Sequence, residues 1–338
     1  MKTKKNIIKI VLIIVLFIIL IQLPRIFTNR HTHHIMVSVL LYSIVAQALN
    51  LLMGFTKYVS FGHAAFYGIG AYASAILVTR TGLPFGLSII VSSAMAGFVG
   101  FVCGVFPLYR RLKGSYFTIV TSAFGMVIFQ IMHNWDAVTN GPAGMTGIAP
   151  AGELFGLNFR DSTTFYYLAL FFAVLVTVII WRIINSKLGR IFKAIGQDED
   201  VAESIGIHVG FYKIVCFTIS AFFTGLAGSL FAHFSRFLSP DMFNIFEAVD
   251  MVTMVVLGGT GTIFGPILGS GMVIALPEFL RGLAAYRHLV FSGLLIITVM
   301  FFPSGVWGIV KQLIKKVHHK IAAKRTSTTP ASADMEVE

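Results

Sequence analysis

Three kinds of residue in this sequence have the types and spacing for chemistry. The first is the run HTHH, in which His31, His33 and His34 offer three imidazoles within four positions. A transition-metal site needs three or four ligands in a defined geometry, and no acidic ligand or fourth histidine lies nearby, so no metal is assigned. The second is the fragment GIGAYA at residues 68 to 73. A dinucleotide loop sets three glycines where a strand turns into a helix; here the last glycine is missing and the surrounding run is apolar, so the small residues read as helix packing. The signatures HExxH, GxSxG and GxxxxGK[ST] are missing as well. No catalytic residue or cofactor is assigned, and any nucleotide that drives this protein is expected on a separate chain.

The third is the segment from Ser186 to Lys213, SKLGRIFKAIGQDEDVAESIGIHVGFYK, which carries 8 of the 40 charged side chains between two very apolar tracts. Leu188, Ile191, Phe192 and Ile195 fall at i, i+3, i+4 and i+7, the stripe of an amphipathic helix, and Gly196 is expected to end it. Asp198 suits the N-cap of a second helix, Glu199 and Asp200 the positive end of its dipole, and Gly206 the left-handed position at its end. Val201, Ala202 and Ile205 would give that helix a short apolar face. Such a segment could lie on a bilayer surface. However, basic residues occupy only its first half, and Asp198, Glu199, Asp200 and Glu203 occupy the second. An anionic leaflet repels acids, so a protein partner with a groove for a small helix fits better.

The elements that must position these residues are membrane helices. Of 338 residues 56% are hydrophobic and 12% charged, with mean hydropathy +0.84, far from the roughly 25% charged of soluble domains. Runs long enough to cross a bilayer, about 20 residues, are expected at 7 to 23, 35 to 53, 62 to 79, 84 to 106, 115 to 133, 164 to 184, 213 to 232 and 286 to 303. Two shorter pieces, 246 to 260 and 262 to 278, form either a re-entrant hairpin or two tilted spans. The fold class is therefore an all-α integral membrane protein, a polytopic bundle of about 8 to 10 transmembrane helices. The basic start of the chain leads into a run too long for a signal peptide and without a small-x-small cleavage site, so it reads as a span.

Charge orients the bundle. With the N-terminus inside, 19 of the 26 Lys and Arg residues fall on the cytoplasmic side, as positive-inside bias requires. The excess of +12 thus marks membrane topology rather than nucleic-acid binding, and segment 186 to 213 faces the cytoplasm. Residues 1 to 310 read as one membrane domain; 311 to 338 read as a basic and then disordered cytoplasmic tail. Cys103 and Cys216 lie in separate apolar runs without partners for a disulfide or zinc site.

Inside the expected spans, polar signals are sparse. Gly100 and Gly104 stand at helix-packing distance. In GGTGTIFGP, Gly258, Gly259, Gly261 and Pro266 serve either packing or an interruption of the helix, and irregular backbone at that depth is tolerated only where it is buried or lines a cavity. His63, His133 and Asn134 sit at the ends of apolar runs. No Asp or Glu falls mid-span, and Glu247, Asp250 and Glu278 lie toward the ends of the short pieces, which disfavours ion coupling. His63, Tyr72, Gly258, Gly259 and Gly261 are the candidates for lining a translocation path. Residues alone leave open an energised permease and a stand-alone channel for a small neutral solute such as urea.

Five stretches, taken in order, resemble a family: ALNLLMGFTKYVSFGHAAFYGIGAYASAIL (48 to 77), RLKGSYFTIVTSAFG (111 to 125), NWDAVTNGPAGMTGI (134 to 148), GRIFKAIGQDEDVAESIGI (189 to 207) and VVLGGTGTIFGPILGSG (255 to 271). They resemble the LivM-type permease subunits of branched-chain amino acid ABC importers of bacterial cell membranes. The resemblance implies a second, LivH-like permease subunit, two cytoplasmic ATPase subunits and an extracytoplasmic substrate-binding protein. It also implies that a cytoplasmic loop docks into the ATPase, a role that would fall on Gly196, Asp198, Glu199, Asp200, Ala202, Glu203 and Gly206. Met126 departs from the family, which often has a polar or acidic residue there. Related permeases also carry urea or short amides.

Overall fold

A backbone crossing lipid has no water to bond, so its apolar runs close their hydrogen bonds internally as helices. The computed structural model describes residues 20–27, 29–109, 114–154, 157–159 and 161–279, with residues 293, 296, 300, 305–308 and 311. The helices are α1 (Arg30–Met53), α2 (His63–Thr81), α3 (Phe85–Tyr109), α4 (Ser115–Asn134) and α5 (Ser162–Asn185). They continue with α6 (Lys187–Gln197), α7 (Glu199–Ser204), α8 (Val209–Ser235), α9 (Ile245–Gly258) and α10 (Gly265–Phe279). Among the described residues, the five helices α1, α3, α4, α5 and α8 are long and apolar enough to cross a membrane. Six of the expected spans coincide with α1 to α5 and α8. The expected spans 7 to 23 and 286 to 303, and the tail from 311, lie largely outside the described residues.

α8 is the centre of the bundle, packed against α1, α2 and α3. Close approach at small residues, beside buried rings such as Phe66 against Phe217, holds these helices together, as expected where lipid removes the hydrophobic force between helices. A Cβ on Gly228 would overlap the Tyr67 carbonyl, one on Gly70 would overlap the Gly225 carbonyl, and one on Gly225 or Gly100 would overlap the methyl of Ala96 or Ala221. α2 is nearly all buried from His63 to Ala75, which is why it needs no lipid-facing hydropathy. α4 is the opposite case: it buries only Phe117, Thr121 and Met132 and exposes Tyr116, Ile119, Met126, Val127 and Ile131.

The two short pieces form an antiparallel hairpin. Gly258 meets Gly265, and Gly269 meets the Met254 carbonyl, so the arms approach closely along their length. With 14 and 15 residues, each arm is about 21–23 Å long at 1.5 Å per residue, short of the roughly 30 Å of a hydrocarbon core. The hairpin's open end sits beside the start of α1, where His31 Nε2 lies 2.6 Å from Glu278 Oε1. Its tip sits beside the end of α1.

Loop contacts sort the helix ends into two faces. On one, Arg80 donates to the carbonyls of Ala137 and Val138, Met145–Thr146 pairs antiparallel with Phe237–Leu238, and His33 Nε2 lies 3.1 Å from the Pro24 carbonyl. On the other, the 54–62 connection, the start of α4, and α6 and α7 come together. We expect Gly228→Val to lower the thermal unfolding temperature in detergent by the equivalent of about 1–3 kcal/mol, the range for overpacking. Gly152→Ala, where a Cβ meets nothing within 4 Å, serves as the silent control. Equal effects of the two would refute backbone contact as the packing device.

Candidate functional site

The polar segment folds as its pattern dictates, with instructive differences. On α6 Phe192 and Ile195 are buried and Leu188 and Ile191 half-buried. The helix ends at Gln197, one residue past Gly196. Gly196 thus stays inside the last turn, and its missing side chain serves contact instead of termination: a Cβ there would overlap the Phe55 carbonyl oxygen and lie 3.3 Å from Thr56 Cα. Asp198 breaks α6 with extended backbone and caps α7, its Oδ1 accepting from the N–H of Asp200 at 2.9 Å and of Val201 at 3.0 Å. Gly206 closes α7 at φ +85°, and the N–H of Ile207 reaches back to the Ala202 carbonyl.

α7 is latched to the body of the protein. α8 begins at Val209, so Lys213 lies inside its second turn, fully buried. Its Nζ donates at 2.6 Å to Glu199 Oε2 and at 2.6 Å to the Tyr58 hydroxyl, and it stands 4.1 Å from the centroid of the Tyr58 ring. Burial and the Glu199 carboxylate push the Tyr58 phenol above its ordinary value, so it stays protonated. Ala202 packs in a small apolar cluster with Ile195 and Val209. The apolar face expected on α7 is therefore divided. Ala202 points in, while Val201 and Ile205 stand out at 59% and 71% exposed beside the exposed acids Asp198, Asp200 and Glu203. A notch of about 330 Å³ opens between this segment and the Thr56–Tyr58 turn, with Asp198 and Asp200 on its wall.

The intramembrane candidates are scattered. His63 is fully buried; its Nδ1 lies 3.1 Å from Ser60 Oγ and its Nε2 2.7 Å from Ser220 Oγ, whose hydroxyl donates to the Ala48 carbonyl. Both ring nitrogens are thus committed to joining α2, α8 and α1. Tyr72, about 13 Å further along α2 at helical rise, packs its ring against Phe243 at 5.8 Å, and its buried hydroxyl has no partner among the described residues. Gly258, Gly259 and Gly261 form the hairpin tip, with Gly259 at φ +114° and Gly261 at φ +71°. The histidines of HTHH diverge: His31 meets Glu278, His33 lies between Pro24 and Thr163, and His34 packs in a tilted ring contact with Phe234.

Two residues escaped the sequence reading. Asn50 is 1% exposed, and its amide holds the hairpin tip, Nδ2 donating to the Thr262 carbonyl at 2.7 Å and Oδ1 accepting from the Gly261 N–H at 2.8 Å. The sequence sets Lys213 only at the edge of the polar segment, while the structure makes it the anchor of α7. The available signal in both cases was a strongly polar side chain inside an apolar run, ALNLLMG and YKIVCF, which in lipid must find a partner.

Comparison with known proteins places this arrangement. The family described as "Branched-chain amino acid transport system / permease component" matches residues 32–300. The LivM permease of the high-affinity branched-chain amino acid transport system of Escherichia coli (strain K12) is 33% identical over 310 residues, covering 85% of this chain and 72% of the relative. The LivH permease of the same system and organism is 26% identical over 287 residues, 79% of this chain and 91% of the relative. A fructose import permease, FrcC of Rhizobium meliloti, is 25% identical over 201 residues, 57% of this chain and 55% of the relative. By this match over most of its length, the chain belongs to the branched-chain amino acid transport system permease family.

Proposed function

We propose that this chain is a transmembrane subunit of an ATP-driven importer that moves branched-chain amino acids (Leu, Ile or Val) inward by alternating access. It works with a second, LivH-like permease chain, two cytoplasmic ABC ATPase chains and an external substrate-binding protein. The observation that carries this reading is α7: a short acidic helix with Val201 and Ile205 exposed, held to the bundle by the pair of buried Lys213 with half-buried Glu199, in a chain without a nucleotide-binding signature. An apolar tip ringed by acids fits a groove on a protein, and an anchored tip delivers force to what anchors it. The excess of Lys and Arg on this face supports a cytoplasmic orientation, the side where ATP is.

Alternating access is an equilibrium between inward- and outward-open states, and closure of the ATPases biases it by acting on α7. The residues of this chain contribute in separable ways. Val201, Ile205 and Glu203 meet the ATPase; Asp198 and Gly206 give α7 its form; Glu199, Ala202 and Gly196 hold it to the bundle.

Labelled leucine uptake into proteoliposomes holding the assembled importer should require ATP and the binding protein; uptake that an ion gradient sustains after ATP depletion would overturn the reading. Conduction of urea by the purified chain alone would favour a stand-alone channel instead. Glu203→Lys and Ile205→Asp, both at exposed positions, should cut ATP-driven uptake about tenfold or more, the effect of losing a hot spot worth at least about 2 kcal/mol, while insertion and thermal stability stay as in the wild type.

The latch makes a separate prediction. Lys213→Met leaves the half-buried Glu199 without its cation and should destabilise the chain by about 1–3 kcal/mol, because removing one partner leaves the other's charge unpaired. The double variant Lys213→Met with Glu199→Gln should recover most of that unfolding temperature. A double variant as unstable as the single one would contradict the pairing.

A further inference from the structure

Where α9 stops and α10 starts, backbone groups lose helical partners, and side chains meet four of them. The Thr262 hydroxyl donates to the Gly259 carbonyl at 2.7 Å and accepts from the Gly265 N–H at 3.1 Å. Asn50 serves the other two, accepting from Gly261 N–H and donating to the Thr262 carbonyl. Satisfaction of a broken helix would by itself explain a buried asparagine. The position of Asn50 in the chain adds more. One turn later its helix ends at Gly54, whose absent side chain leaves room for Asn50 Oδ1 and the Gly261 N–H. The next residue, Phe55, offers the carbonyl against which Gly196 packs, and Tyr58 holds Lys213 and Glu199. The hairpin tip and the polar segment thus grip the same nine residues of chain, 50 to 58, from opposite sides.

We propose that Asn50 is a positioning residue of transport: it makes the 50–58 turn a transmission element, so that displacement of α6 and α7 moves the tip of the broken hairpin. The proposal rests on the reading of the chain as an ATP-driven permease. The link is short and stiff. It runs through backbone contact at Phe55 and through two hydrogen bonds at Asn50, with only the short, buried Asn50 side chain in series. Gly259 of the tip packs against Gly305, so motion of the tip is passed to residues 305–308.

The test uses the complete importer in proteoliposomes and reads ATP hydrolysed per leucine transported. Asn50→Leu keeps the volume and loses both hydrogen bonds. Gly54→Ala leaves Asn50 in place and pushes it off Gly261. Both should raise the ratio of hydrolysis to transport about tenfold, the change expected from about 1.4 kcal/mol of lost coupling through two hydrogen bonds. A purely structural role predicts transport and hydrolysis falling together with the ratio unchanged, and that outcome overturns the proposal. A second readout places a cysteine at the exposed position Thr260, with Cys103→Ser to remove the partly exposed native thiol. Its maleimide labelling rate should change when nucleotide closes the ATPases in the otherwise unaltered chain, and should not change in the Asn50→Leu background; equal changes in both refute the link. If the otherwise unaltered importer hydrolyses ATP without moving leucine, the transport reading fails and the labelling comparison alone decides the link.

Discussion

A helix that stops against packed neighbours leaves amides and carbonyls without partners, and each one buried and unpaired costs several kcal/mol. The segment GGTGTIFG makes such a stop, and its surroundings follow from the need to repair it. Gly259 and Gly261 take positive φ to turn the chain back. Thr262 and Asn50 supply the missing partners. Gly54 stays small so that Asn50 fits, and Gly258, Gly265 and Gly269 stay small so that the arms pack. A fully helical span would be more easily satisfied. Keeping the break instead yields a tip whose position depends on one side chain from another helix.

α1 carries two attachments on different sides. At about 100° per residue, the pair Ala48 and Leu51 lies on average about 110° around the helix from the pair Asn50 and Gly54. The carbonyls of Ala48 and Leu51 accept from Ser220 and Cys216 of α8, while Asn50 and Gly54 face the hairpin. One side joins α1 to the glycine-packed core, and the other joins it to the broken element. The Lys213–Glu199 pair then fixes α7 to the same α8. Such pairs add little net stability against a hydrophobic substitute, but they fix direction. Nζ satisfies Glu199 and Tyr58 together only when α7, the 54–62 turn and α8 are in one register.

The fold was largely legible because its strongest signal is the length of apolar runs, and lipid enforces that signal. Six spans and the two short pieces stand where hydropathy puts them. The caps of α7 were equally legible, since Asp198 and Gly206 act through their own backbone. Contacts between distant parts were not. Nothing local distinguishes Asn50, 211 residues from Gly261, from any other polar residue in a span, and nothing local told that Gly196 is small because of Phe55 and not because a helix ends. His63 looked like a candidate ligand for the same reason; only the fold shows both its ring nitrogens taken by Ser60 and Ser220.

The distribution of burial separates what can move from what holds still. Around α8, contact is backbone to backbone, and interiors packed that closely shift as bodies instead of deforming. α4, by contrast, contributes three buried residues and an exposed face running from Tyr116 to Ile131, so it has little to lose by changing neighbours. The hairpin is intermediate: its arms hold each other tightly, yet its tip is held by Asn50 and its open end by the His31–Glu278 contact. A force arriving at α7 meets first the rigid core, through Lys213, and then the 54–58 turn, through Gly196 and Tyr58. The core resists it as a unit. What remains able to respond is the element held by a few directional bonds, which is the one whose helix is broken.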